Sequence, residues 1–367
     1  MESLIKRAKN PKKIRLGFYP YTYVRTVVMR SFLFKMEDYH KMLKMGFNEI
    51  AKFLQDSYYQ NEINELAREY SGANLLERAL NKALENSFEK LIRISSEQLQ
   101  VLIKEYLKRK DIEDIKTIIR GKFTNADEKA IISSLAAAGT LSREYLMSLT
   151  RKESIEKVLA DSILKDNEIT SFELLKDGLR ELNEKNTLAG IENTLDRYYY
   201  EHLLDFSARL PKQGALFKDF LLNEIYILNL LTLFRMKRSN VDKKIIKSFL
   251  ILSGDNLKDS KISSLAEIDN INELQKALEK TPYAEIIAKG IGEFKKNGSL
   301  MSLEIELYKY LLKKSILLLH QHPLTIDVIL GYMFAKDIEV RNLKILVKGK
   351  QLGLSNDFIE SQLVFWQ

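Results

Sequence analysis

Residues 114–122 read DIKTIIRGK, residues 229–237 read NLLTLFRMK and residues 342–350 read NLKILVKGK, so one nine-residue pattern occurs three times at offsets of 115 and 113 residues. Within each copy apolar residues recur at i, i+3 and i+4: Ile115, Ile118 and Ile119; Leu230, Leu233 and Phe234; Leu343, Leu346 and Val347. That spacing lines one face of an α-helix, and each copy therefore has a face to bury. A polar residue opens each copy (Asp114, Asn229, Asn342), where its side chain can bond backbone amides or an adjoining helix. A base stands in the last turn of each (Arg120, Arg235, Lys348), favourable against the helix dipole.

The repeat extends beyond the nine residues. Gly139 in LAAAGTLS aligns with Gly254 in LILSGDNL, again 115 residues on. The segments that follow share a short helix, a polar link and a longer helix, and MEDYHKMLKMGFNEIAKFLQDSYY near the N-terminus has the same shape. Residues 75–94, LLERALNKALENSFEKLIRI, place Leu76, Leu80, Leu84, Phe88 and Leu91 on one stripe. Strict period-two alternation is scarcely found, and five prolines and fifteen glycines in 367 residues leave long uninterrupted helical runs. The expected fold is all-α. A chain of this length exceeds what one core usually serves, and the repeat predicts three similar domains: 1–124 with a basic N-terminal arm, 125–239 and 240–367. Gly121 and Gly349 are expected just past helix ends, as C′ residues, and Asp111, Asp337 and Asn240 as N-caps.

Composition removes several function classes. The absence of cysteine excludes disulfides, thiol catalysis and thiolate metal sites. The opening MESLIKRAKNPKKIR has no apolar core behind its charges, so no secretory signal is expected, and no apolar run approaches the ~20 residues of a spanning helix. Gly121-Lys122 is followed by Phe123 and Gly349-Lys350 by Gln351, so no phosphate-binding GxxxxGK[S/T] loop is present. Of four histidines only His320 and His322 are close, without a third ligand at metal spacing. The net charge of +8 is compatible with any anionic partner, but six of the first fifteen residues are Lys or Arg whereas later bases are diluted by acids.

Four stretches carry a resemblance: YPYTYVRTVVMRSFLFKMEDYHKML at 19–43, KDIEDIKTIIRGK at 110–122, EIYILNLLTLFRMK at 224–237 and GYMFAKDIEVRNLKILVKGK at 331–350. In their order and spacing the chain resembles the central-stalk socket of rotary ATPases, known as the C subunit in the A/V-type enzymes and the d subunit in the vacuolar type. The middle copy departs from the pattern, with Met236 in place of the glycine. The resemblance implies a funnel of three all-helical domains about a pseudo-threefold axis, peripheral to the cytoplasmic face of the membrane. Its partners would be the proteolipid ring and the foot of the central rotor shaft. It further implies no chemical step, no cofactor, no small-molecule substrate and no nucleic acid, only torque transmitted between ring and head during ion transport and ATP synthesis or hydrolysis.

For that task Tyr19, Tyr21, Tyr23 and Arg25 are candidate contact residues, since aromatic rings give broad rigid contact and arginine pairs with carboxylates. Tyr23 has a second reading, as a seal in the core between the first and third domains. Glu113, Glu224 and Glu339, with Arg120, Arg235 and Lys348, are candidates for interdomain or cavity-lining pairs. The arm residues Lys6, Arg7, Lys9, Lys12, Lys13 and Arg15 would lie on anionic lipid heads or form a solubilising tail. The rival class is a helical-repeat nucleic-acid-binding protein, for which the charge and seventeen tyrosines allow phosphate contact and stacking.

Overall fold

A computed structural model describes residues 17–163, 170–211, 214–252, 256–321 and 323–365, and every regular element among them is a helix. In chain order these are α1 (Pro20–Ser31), α2 (Met36–Leu43), α3 (Phe47–Gln55), α4 (Gln60–Leu66), α5 (Gly72–Arg93), α6 (Glu97–Phe123), α7 (Glu128–Ser134), α8 (Arg143–Thr150), α9 (Ile155–Ile163), α10 (Thr170–Lys185), α11 (Ala189–Ala208), α12 (Ala215–Arg238), α13 (Lys243–Ser248), α14 (Asn256–Glu267), α15 (Ile271–Ala277), α16 (Ala284–Asn297), α17 (Met301–Gln321), α18 (Ile326–Gln351) and α19 (Asn356–Gln362). The all-α expectation holds.

The three nonapeptides close the long helices α6, α12 and α18, and all nine of their spaced apolar side chains are buried. Each helix ends in the same way. Asn125, Asn240 and Gly353 take left-handed backbone at φ 52°, 50° and 67°. The following amides of Ala126, Val241 and Leu354 return to the carbonyls of Gly121, Met236 and Gly349 at 2.8, 3.0 and 2.9 Å, satisfying carbonyls that the helix leaves open. Two residues beyond each turn, Asp127, Asp242 and Ser355 cap the next helix through their side-chain oxygens.

These ends correct the sequence-based placement. Gly121 and Gly349 lie inside α6 and α18, four residues before the left-handed turn, and Asp111 and Asp337 are helix-interior residues. Asn240 closes α12 instead of capping the next helix, because its short polar side chain tolerates positive φ. Gly254, matched to Gly139 by offset, lies outside the described residues. The two interior glycines have a packing role: a Cβ on Gly349 would stand 2.6 Å from Ile359 Cγ1, and Ile131 sits against Gly121 in the same way. Gly349→Ala is therefore expected to destabilise the chain by a net ~1 kcal/mol, overpacking outweighing the gain in helix propensity. Adding Ile359→Val should return most of the loss in urea melts, and a raised melting temperature for Gly349→Ala alone would contradict the close approach.

By packing, the chain forms two compact units, one over Asn81–Phe206 and the other joining residues 17–80 to 207–365. In the first, α6 lies against α7, α8 and α9 around Ile118, Ile119, Leu146, Leu149, Val158 and Leu159, all buried. In the second, α17 packs on α12, α16 and α18 over a core that includes Leu230, Leu233, Phe234, Leu303 and Leu307. Phe220 meets Phe334 edge to face there, with ring centroids 5.1 Å apart. The N-terminal helices belong to this unit: α1 and α3 pack on α18, and α19 packs on both α18 and α2.

Candidate functional site

The polar residues of the repeat form a set of locks used three times. Asn342 donates from Nδ2 to the Val364 carbonyl at 2.6 Å and accepts the Val364 amide on Oδ1 at 3.0 Å. Asn229 holds Ile251 identically, at 2.8 Å in both directions. An amide side chain suits this because it offers one donor and one acceptor side by side. Asp114 only accepts, and its two oxygens take the amides of Ala136 and Ala137, each at 2.8 Å. All three side chains are buried, so losing either partner would strand a desolvated polar group.

Burial pushes the Asp114 carboxyl up from 3.8 to about 6, the two amide bonds opposing and the nearby Glu113 and Asp111 reinforcing the shift. The folded chain then takes up this proton more readily than the unfolded chain does, so stability rises as pH falls through about 6 toward the unfolded value. Relative to Asp114→Asn, which has no proton to bind, the parent chain is expected to gain about 2–3 kcal/mol between about pH 7 and about pH 4. Paired urea titrations across that range check it, and a pH-independent difference between the two proteins would show the carboxyl to be solvated.

A lysine in the last turn makes the second lock. Lys122 Nζ donates to the carbonyls of Thr150, at 2.9 Å, and Lys152, where α8 ends. Lys237 donates to Ala266, at 2.9 Å, and Ile268, where α14 ends. Lys350 donates to Leu43 at 2.6 Å, the last residue of α2, and to Asn356 Oδ1 at 2.7 Å. Each ammonium sits at the negative end of a helix. In the third copy that helix comes from the opposite end of the chain, so α2 occupies the place that α8 and α14 hold in the other two. Two further contacts secure it: the Phe365 and Tyr39 rings lie 5.4 Å apart, and His40 Nε2 is 3.3 Å from Glu360 Oε1.

Arg120, Arg235 and Lys348, the bases expected to pair with Glu113, Glu224 and Glu339, take other acids as partners. Arg120 makes a two-pronged pair with Glu192 at 2.6 and 2.7 Å, Arg235 pairs with Glu304 at 2.9 and 2.8 Å, and Lys348 Nζ is 3.4 Å from Glu77. The bases are all largely exposed, so each pair contributes at most ~1 kcal/mol. The three acids also lack a common register. Three residues before Asn342 stands Glu339, but the same step from Asp114 and Asn229 gives Asp111 and Tyr226. Glu339 Oε2 accepts the Phe34 amide at 2.5 Å, just before α2; Asp111 Oδ1 accepts the Thr140 and Leu141 amides at 2.8 and 2.9 Å, just before α8. Tyr226 instead stacks on Tyr283, whose hydroxyl donates to Asn223 Oδ1 at 2.9 Å. Glu113, half-exposed, accepts from Lys110 Nζ at 2.7 Å, and Glu224 is buried.

Around Glu339 the third copy adds a buried cluster that sequence reading missed. Its Oε1 accepts from Tyr59 Oη at 2.6 Å and from Lys336 Nζ at 2.8 Å, and Lys336 also donates to Tyr59 Oη at 2.9 Å. The ammonium lies 4.4 and 5.1 Å from the ring centres of Tyr59 and Tyr58. Burial and the adjacent Glu339 hold the Tyr59 hydroxyl far above its ordinary range, so it stays a donor.

Of the aromatic opening, Tyr19 is buried and its amide donates to the Leu324 carbonyl at 2.8 Å; Tyr23 is half-buried, while Tyr21 and Arg25 are exposed on α1. The basic arm at Lys6, Arg7, Lys9, Lys12, Lys13 and Arg15 lies outside the described residues, as do the side chains of His320 and His322. Among the described residues no group of three or more His, Asp or Glu is placed to hold a metal ion, and no helix is long and apolar enough to cross a membrane.

Comparison with known proteins agrees along nearly the whole chain. The family described as ATP synthase (C/AC39) subunit matches residues 23–362. The chain is similar to the C subunit of the A-type ATP synthase from Methanosarcina mazei, with 37% identity over 360 residues that cover 98% of this chain and 96% of the relative. It is 38% identical to that of Methanococcoides burtonii over 94% of both chains, and 31% identical to that of Haloferax volcanii over 94% of this chain and 97% of the relative.

Proposed function

The chain belongs to the ATP synthase (C/AC39) subunit family, and from that premise we infer that it is the non-catalytic central-stalk component of a rotary A/V-type ATPase, coupling the rotor to the proteolipid ring. The structural observation that carries this reading is the threefold set of locks. Most of the repeat's buried polar groups tie a long helix to the segment beside it, as transmission of torque requires, since slack at any joint would absorb rotation before it reached the next component. A catalytic centre would instead bring unlike groups together once.

On this reading the ring and the foot of the central shaft are the direct partners, and the chain sits peripherally on the cytoplasmic face of the membrane. Tyr21, Tyr23 and Arg25 on α1, with Arg120, Arg235 and Lys348, are the residues we assign to partner contact, while Tyr19 and Glu339, bonded within the chain, fix internal geometry. The purified chain is expected to co-elute with a detergent-solubilised proteolipid ring and with the shaft at low and at high salt. Capture of neither would remove the reading, and salt-sensitive retention of RNA or DNA in its place would favour the nucleic-acid alternative.

A further inference from the structure

Of the three polar locks, only the first can take up a proton. Asn342 and Asn229 each grip a single residue, Val364 and Ile251, with one donor and one acceptor, and neither amide titrates. Asp114 works differently: Oδ1 accepts the Ala136 amide and Oδ2 the Ala137 amide, each at 2.8 Å. Both oxygens are committed as acceptors, so a proton on either one sets an O–H donor against an N–H.

The backbone held there does not rest in that shape by itself. Ala137 has φ 52°, and of the other four non-glycine residues with positive φ among the described ones, three are asparagine. Alanine has no polar side chain to bond its own backbone in the left-handed region, so the bonds to Asp114 have to keep it there. Farther along, Gly139 lies directly on Asp111, where a Cβ would stand 2.0 Å from Oδ1. Asp111 takes the Thr140 and Leu141 amides and the Thr140 hydroxyl at 2.8, 2.9 and 2.5 Å. Between these two carboxylates the segment forms one wall of a cleft of about 630 Å³, with Phe88 and Ile92 of α5 and Lys104 of α6 opposite.

The charges on the surrounding elements leave Asp114 without a cation of its own. Asp111 and Glu113, on the same helix, are both negative and act with burial to raise its affinity for a proton, which the two amides oppose. Arg143, at the start of α8, has Nη2 3.5 Å from the Ala136 carbonyl and 3.5 Å from Glu85 of α5, which Lys82 approaches at 3.4 Å. On α11, Asp196 is bonded to Lys116 and Glu192 to Arg120. Glu128 of α7 pairs with Arg151, and Asp161 of α9 with Lys152. Proton and amide therefore compete for the same lone pairs. With the carboxyl still buried, the amide bonds hold its proton affinity down, and reciprocity requires the proton to loosen them by the same factor. Complete unfolding differs, because there the carboxyl meets water; acid stabilises the fold as a whole while it loosens this one joint.

We propose that Asp114 is a proton-operated latch, by which acid frees the Ala137 backbone and the cleft wall in the first copy alone, the second and third copies staying latched by Asn229 and Asn342. The latch goes beyond the coupling role given above and does not depend on it. Hydrogen exchange of the full chain, corrected for the intrinsic effect of pH, tests it. Between about pH 7 and about pH 5, protection of the Ala136 and Ala137 amides is expected to fall about tenfold, while that of the Ile251 and Val364 amides stays level. Asp114→Asn keeps the shape but carries a fixed donor, and should show the low protection at both pH values. Protection at Ala136 and Ala137 that stays flat or rises on acidification overturns the proposal, since the carboxyl would then be solvated whenever the loop moves. Full protection of both amides in Asp114→Asn overturns it as well. The parent chain's own two readings decide the matter where the variant folds poorly.

Discussion

Glu339→Ala is expected to cost about 3–5 kcal/mol, the range found when one member of a buried ion pair is deleted. The size follows from what would remain. Lys336, 1% exposed, would be left buried beside the Tyr59 hydroxyl and two ring faces without its carboxylate partner, and the Phe34 amide and the Tyr59 hydroxyl would each lose their acceptor. Glu339→Gln should fall between, since one amide oxygen cannot serve three donors. Lys336→Met combined with Glu339→Leu removes both charges and should recover most of the stability, because a buried pair contributes far more by being complete than by being present. Urea unfolding of these proteins measures each loss, and Lys336→Met and Glu339→Leu made singly close the double-mutant cycle that yields the coupling. A loss under ~1 kcal/mol for Glu339→Ala would mean that water reaches the site.

Deleting residues 1–66 should have a still larger effect. That segment supplies the Leu43 carbonyl to Lys350, the Phe34 amide and the Tyr59 hydroxyl to Glu339, and the ring of Tyr39 to Phe365. It also buries Tyr39, Met42, Leu43, Ile50, Leu54 and Tyr59, at roughly 1.5–3 kcal/mol each. The sum rivals the ~5–15 kcal/mol net stability of a whole domain. The truncated chain is expected to lose protection of α18 and α19 in limited proteolysis and hydrogen exchange. A chain merely nicked between α4 and α5 should keep it, since the segment is held by packing and not by its peptide bond. Unchanged protection after deletion would reduce the N-terminal helices to an appendage.

Much of this architecture was legible from the nonapeptides. Ile118, Leu233 and Leu346 are interior because their 3.6-residue periodicity is a property of sequence alone. Helix ends were misread where two residue types serve one backbone state: the left-handed position is Asn125, Asn240 and Gly353, and the more conspicuous glycines four residues earlier drew the assignment. The acids were misaligned because Asp111 and Glu113 both precede Asp114, two residues apart and so on different sides of the helix, and only geometry tells which one faces the loop. Of the locks only one half was legible: the polar residue opening each copy is expected to bond backbone amides or an adjoining helix, but residue type does not say which ones. Asp114, Asn229 and Asn342 grip backbone atoms of Ala136, Ile251 and Val364, and a backbone amide leaves no trace in residue type. Boundaries at 124 and 239 fall between Asp114 and Asn229 and the segments these side chains hold, whereas Asn342 and Val364 stay in one stretch.

The seating of Lys350 on Leu43 also sets an order of events at the ribosome. The Asn81–Phe206 unit is continuous in the chain and can close as soon as it emerges. Helices α1 to α4 cannot: their partners α18 and α19 are made after the whole of that unit, and at ~5–20 residues per second they wait on the order of tens of seconds with their apolar faces uncovered. Helices α1 to α4 therefore find their place after a unit that is made later than they are, and while they wait it is this segment that most needs a chaperone.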